Sequence, residues 1–145
     1  MSAGVTLDGA RELLGKGYTL VASAGDRVYT DRARGVAPLL SLLDGGVSLA
    51  GGVAADRVVG RAAAYLYRLL GVNELYAQVV SEPALEVLAA GGVSVLYDTC
   101  VPAIRNRAGD GFCPMESATR MLSPDALCEA LAVIREARAK LNAAN

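Results

Sequence analysis

Leu75-Tyr76-Ala77-Gln78-Val79-Val80-Ser81-Glu82-Pro83-Ala84-Leu85-Glu86-Val87-Leu88-Ala89-Ala90-Gly91-Gly92-Val93-Ser94-Val95-Leu96-Tyr97 is the stretch whose reading decides the fold. Leu75 to Val80 is apolar and partly β-branched, which predicts a strand. Ser81 then stands where a helix N-cap belongs, and Pro83 falls in the first turn, where a missing N–H costs nothing. Gly91-Gly92 stops that helix, and Val93 to Tyr97 is the next strand. The same unit precedes it. Leu49 to Ala55 reads as a short strand of small residues, followed by an alanine-rich helix from Arg57 to Leu70 that Gly71 closes. Val58, Ala62, Leu66 and Leu69 recur at spacings of three and four and mark the expected buried stripe of that helix. Strand, helix, strand, helix, strand with short links calls for crossovers and a parallel arrangement.

Outward from this centre the elements are shorter. Asp8 to Leu14 predicts a first helix, ended by Gly15 and Gly17. Tyr18 to Ser23 and Arg27 to Thr30 flank Ala24-Gly25-Asp26, a hairpin signal. Pro38 to Asp44 predicts a second short helix, stopped by Gly45-Gly46. Past Tyr97, residues Asp98 to Phe112 read as irregular, a helix starts at Cys113, and another runs from Pro124 to about Leu141 with Ser123 as its cap. The tail 142–145 is expected to fray. Residues 1–145 thus read as a single α/β domain: an N-terminal hairpin joined to a parallel sheet, with helices on both faces.

Composition excludes more than it assigns. The 145 residues include 53% hydrophobic and 20% charged side chains, the balance of a chain that buries a core without disulfide staples. Fourteen basic and fifteen acidic residues leave a net charge of −1. No general electrostatic attraction to nucleic acid or anionic membrane follows from that balance. Six Tyr, one Phe and no Trp make a base-stacking platform unexpected. The absence of histidine excludes Ser-His, Cys-His and His-metal arrangements within the chain. Cys100, Cys113 and Cys128 form no CxxC pair and are odd in number. The N-terminus lacks a basic-then-apolar leader, and the apolar run Gly35 to Ala55 is broken by Pro38 and two glycine pairs. A cytoplasmic protein in a reducing compartment is the expectation.

Ligands of open α/β sheets collect at the carboxyl ends of the strands, where helix N-termini point N–H groups outward. Asp56 is expected to cap the helix after one such strand. Arg57 and Arg61, four apart, would share a face able to hold phosphate or carboxylate. The plain alternative is that Asp56 only caps and both arginines are solvated. Ser81-Glu82-Pro83 is explained by helix-start physics alone. The third segment, Arg105-Asn106-Arg107 through Phe112-Cys113-Pro114-Met115-Glu116, places a cysteine at an N-cap with Glu116 in the capping-box position. A thiol there is favoured as thiolate by the helix end and nearby arginines, unless the Glu116 carboxylate faces it. Cys100 and Cys128 read as inert, buried thiols, Cys128 on the stripe of the last helix with Leu127, Leu131 and Ile134.

Three segments together resemble a known family. Leu49-Ala50-Gly51-Gly52-Val53-Ala54-Ala55-Asp56-Arg57 through Ala64, Leu75 through Glu82, and Val101-Pro102-Ala103-Ile104-Arg105-Asn106-Arg107 with Cys113-Pro114-Met115-Glu116 are similar to an uncharacterised prokaryotic family, domain of unknown function 1893. The resemblance spans nearly the whole chain from about Leu7. It implies a divergent cytidine-deaminase-like fold, a three-layer α/β/α sandwich with a mixed sheet. Zinc deaminases place a His-or-Cys/Ala/Glu triplet at one helix start and Pro-Cys-x-x-Cys at the next. Aligned so, Asp56-Arg57-Val58 takes the first place, and Glu82-Pro83 leads into Ala84 and Val87 where cysteine ligands belong. The comparison therefore implies no metal ligands, no cofactor and no zinc-dependent deamination.

The expected function is binding of a nucleotide-like small molecule without metal, using Asp56, Arg57, Arg61, Arg105, Asn106, Arg107 and Glu116. One alternative is thiol-based group transfer through Cys113. Another is a non-catalytic homo-oligomeric scaffold, suggested by the small side chains of Gly60 to Ala64.

Overall fold

The computed structural model describes residues 5–33, 35–105 and 114–143. In chain order the elements are α1 (Leu7–Leu14), β1 (Leu20–Ala24), β2 (Arg27–Asp31), α2 (Ala37–Asp44), β3 (Val53–Val59), α3 (Arg61–Leu70), β4 (Glu74–Ser81), α4 (Glu82–Ala90), β5 (Ser94–Val101), α5 (Pro114–Thr119) and α6 (Leu127–Ala143). The local signals act as expected at several ends. Ser81 accepts the Ala84 N–H at 3.1 Å, and Gly71 closes α3 in the left-handed conformation.

The five strands form one mixed sheet in the order β2-β1-β3-β4-β5. β1 runs antiparallel to both β2 and β3, whereas β3, β4 and β5 are mutually parallel. Helices cover both faces. On one face α1 sets Ala10 and Leu14 against Val21, Ala55 and Tyr76. The other face carries the larger core, where Leu20, Ala22, Ala54 and Leu75 meet α2, α3 and α4. Alternation of neighbours such as Val21 and Ala22 between the two cores is the period-two signature of a sheet buried on both sides. α5 and α6 pack on α3, so this side is deeper than a single helical layer.

Several boundaries differ from the sequence reading. The third strand begins later and ends later, at Val59, and the helix starts at Arg61 with Gly60 as its cap. The cause is non-local: Asp56 pairs with Leu20 on one side and Ala77 on the other, and Val58-Val59 continue the ladder beside Val79-Val80. Asp56 and Arg57 are therefore strand residues, and Asp56 caps nothing. Val58 is not part of a helical stripe but lies 47% exposed. Every residue from Arg61 to Tyr67 is buried, because α3 is surrounded rather than amphipathic.

β5 likewise runs four residues further than expected, since Thr99, Cys100 and Val101 pair with Val79, Val80 and Ser81. The last helix begins at Leu127, not Pro124. Arg68 holds the Pro124 carbonyl and the Asp125 carboxylate at 2.7 and 2.9 Å, fixing a turn ahead of it. Neither Cys100 nor Cys128 is buried. Cys100 lies on the edge strand, and the fully buried line of α6 is Ala130 and Ile134, which Cys128 misses.

Candidate functional site

Two cavities open along the same edge of the sheet, where β3, β4 and β5 end. One of about 330 Å³ lies beyond β4 and β5, bounded by Pro83, Pro102, Arg105, Glu116, Ser117 and Arg120. The other, of about 380 Å³, lies beyond β3 under the start of α2 and includes Leu20, Pro38, Leu39, Asp56 and Val58.

Glu116 organises the first cavity. It projects from α5, is 5% exposed, and accepts the backbone N–H of Arg61 through Oε2 at 2.9 Å. This places a carboxylate on the N-terminus of α3, where the first N–H groups have no partner within the helix and the dipole favours negative charge. Gly60 makes the approach possible: a Cβ there would collide with Glu116 Oε2. The described bond of Glu116 is thus to a different helix, and Cys113 of the expected capping box lies outside the described residues. Glu116 Oε1 is buried and accepts no hydrogen bond among the described residues. An unpaired buried acceptor costs about 1–3 kcal/mol, so its presence calls for a donor.

The expected arginine pair does not form. Arg57 points to the α1 face, donating to Tyr18 O at 2.9 Å, Leu14 O at 2.8 Å and Gln78 Oε1 at 3.3 Å. It closes the carboxyl end of α1, a favourable place for a cation. Arg61 is 3% exposed, and its guanidinium donates to the carbonyls of Thr119, Pro83 and Leu122 and to Glu86 Oε2. It ties α3 to α4 and to the end of α5. With its donors committed to these carbonyls, neither arginine presents an open fork to an anion. A strand lies under one and a helix under the other, so the i, i+4 relation does not exist.

Asp56 lies apart from Glu116, in the second cavity. Its Oδ2 accepts the Tyr67 hydroxyl at 2.6 Å. Burial pushes the Asp56 carboxyl up to about 6, against the opposing pull of the Tyr67 hydroxyl and the backbone N–H groups of Val58 and Arg57. Tyr67 is raised well above its ordinary value by burial and by the Asp56 charge beside it.

Of the expected site residues, then, the structure brings Arg105 and Glu116 to one cavity and Asp56 to another. Asn106, Arg107 and Cys113 lie outside the described residues. Arg120 and Ser117 were missed. Their signal in the sequence is the spacing from Glu116, four and one residues on, which is visible only once Glu116 is known to face a cavity. Ala84 and Val87, compared above with cysteine ligands, are wholly buried in the core. Among the described residues no three His, Cys, Asp or Glu side chains gather as a metal site, and no helix is long and apolar enough to cross a membrane.

A family model described as "Domain of unknown function (DUF1893)" matches residues 9–137. A crystal structure of a DUF1893 family protein from Thermotoga maritima is similar at a TM-score of 0.76 and 25% identity, over 92% of this chain and 87% of that one. No curated protein matches the chain. The family model spans most of the chain, including both cavities and the elements that build them, and the chain belongs to the DUF1893 family.

Proposed function

We propose that this chain is a binding domain for a nucleotide-like small molecule, seated without metal in the cavity of Pro83, Arg105, Glu116 and Arg120. The observation that carries the reading is Glu116 Oε1, a buried acceptor lacking a described donor at the wall of a cavity. An amino or ring N–H of a base would supply that donor. Arg105 and Arg120 bring positive charge to the same walls, suited to a phosphate. The position beyond parallel strand ends is where such folds collect ligands, and the volume is at the lower end for a small-molecule pocket. The strand order, with an antiparallel hairpin beside three parallel strands, supports the deaminase-like reading of the architecture and hence a nucleotide by analogy.

Glu116→Gln tests the reading. Gln keeps an oxygen for the Arg61 N–H but places an NH₂ where the acceptor was. In calorimetric titrations with purine and pyrimidine nucleoside monophosphates, wild-type protein is expected to bind at least one. E116Q is expected to bind it at least about tenfold more weakly, the size of one lost charged hydrogen bond. Equal binding by both proteins, or none by wild type together with no small molecule released on denaturing fresh protein, removes the proposal.

A homo-oligomeric scaffold is favoured by a different feature than the one expected. Arg61 to Ala64 are buried inside the domain, with Gly60 only half-buried ahead of them, but Leu96 and Tyr97 on the edge strand β5 are 53% and 46% exposed. Light scattering of purified protein decides it, a monomer across the micromolar range excluding the scaffold. The thiol-transfer reading has no described geometry behind it.

A further inference from the structure

The Asp56 cavity is unrelated to the Glu116 site in its residues and in its chemistry. Its walls are apolar: Leu20 and Leu39 are 3% and 1% exposed, and Pro38, Ala33 and Val58 complete them. Thr19 also reaches it, but its one hydroxyl proton is already engaged by the carbonyls of Ala33 and Asp31, 2.7 and 3.0 Å away. Asp56 is therefore the strongest polar feature of the space. Among the described residues no cation pairs with it, and the adjacent Arg57 guanidinium is committed to the opposite face of the sheet. Among the described residues the Tyr67 hydroxyl bonds Asp56 through Oδ2 at 2.6 Å. The described hydrogen bonds leave Oδ1 free to accept.

We propose that this cavity is a second binding site, for a small organic cation whose ammonium or amidinium N–H bonds the Asp56 carboxylate and whose compact apolar body fills the space between Leu39 and Val58. A partly buried carboxylate that no described cation faces lowers its free energy either by taking a proton or by acquiring a cationic guest. A guest with a single strong N–H contact and an otherwise apolar surface matches one carboxylate set among apolar walls. Phosphate-bearing ligands are excluded here by like charge, which separates this site from the one at Glu116. The cavity also explains why Tyr67, fully buried on α3, spends its hydroxyl on Asp56: the bond holds the carboxylate toward the open space.

Benzamidine and its neutral isostere benzamide are the probes, followed by amide chemical shifts of the whole chain at pH 7.5. Benzamidine is expected to shift the amides of Gly35, Asp56 and Val58, and benzamide to bind at least about tenfold more weakly. Asp56→Asn, checked for an unchanged spectrum elsewhere, is expected to lose benzamidine binding by a similar factor. Val58→Trp, at an exposed position on the rim, keeps the carboxylate but narrows the opening and is expected to reduce binding as well. Equal binding of the two probes, benzamidine binding that survives in D56N, or shifts confined to other parts of the chain would overturn the proposal. So would the absence of any shift at about 10 mM, where even a millimolar complex is mostly formed.

Discussion

Asp56 shows how its surroundings move one carboxyl. Its carboxyl titrates at about 6 in the folded protein against 3.8 ordinarily. Between those values the folded chain holds a proton that the unfolded chain has released. Stability from this group is therefore greatest below about pH 4, falls as the pH rises, and reaches its low plateau above about pH 6. A shift of about two units bounds the loss at roughly 3 kcal/mol. In urea unfolding at a series of pH values, D56N is expected to lack this decline. The difference between wild type and variant should grow from pH 4 to pH 7 and then level. Parallel curves would show that Asp56 ionises as an ordinary surface carboxylate. A carboxylate that weakens the protein at neutral pH and borders a cavity is a candidate for binding there. None of this was legible in the sequence, where Asp56 before an alanine-rich run has the look of a helix cap. Its strand neighbours Leu20 and Ala77 are distant in the chain, and they decide the matter.

The elements were legible where a local signal fixes them and illegible where a partner does. Ser81, Pro83 and Gly71 mark helix ends by their own chemistry, and the structure uses them so. β3 and β5 overran their expected limits because ladder pairing extends chain that carries Asp, Arg or Thr as readily as Val. Arg61 is the sharpest case. Nothing in Gly60-Arg61-Ala62-Ala63 distinguishes a solvated arginine from one that joins three helices. Replacing it by Ala removes the donors to the Thr119, Pro83 and Leu122 carbonyls and leaves a hole beside Tyr65. The expected loss is about 3–5 kcal/mol, measured by denaturant midpoint, with Arg61→Lys intermediate because one ammonium cannot serve the same set of acceptors. A loss under about 1 kcal/mol would mean that α5 and α6 dock without it.

At the scale of the whole molecule the two faces of the sheet are unequal. Five helices build one side, whereas among the described residues α1 alone covers the other, over the small cluster of Ala10, Leu14, Val21, Ala55 and Tyr76. Periodicity foretold helices on both faces but not this asymmetry, since a first helix of eight residues looks no more important than its neighbours. Leu14, 2% exposed, is the largest aliphatic anchor of the thin side. Leu14→Ala is expected to cost about 2–4 kcal/mol. Protease resistance should fall first in α1 and the following turn, read by mass spectrometry of limited digests. Digestion that begins instead in α6 would place the weak side of the domain opposite.

Glu116 couples a helix junction to a cavity. One of its oxygens fastens α5 to the start of α3, and the other borders the cavity beside it. A guest that donates to the second oxygen also pins the side chain that makes the first bond. Occupancy and the docking of α5 then become linked equilibria: each opening of α5 must first lose the guest. Amide hydrogens of 115–119, and those of the first turn of α3 that Glu116 covers, should exchange more slowly as the site fills. The slowing should saturate at the same concentration as binding itself, so that exchange rates far from any chromophore report the affinity of the pocket.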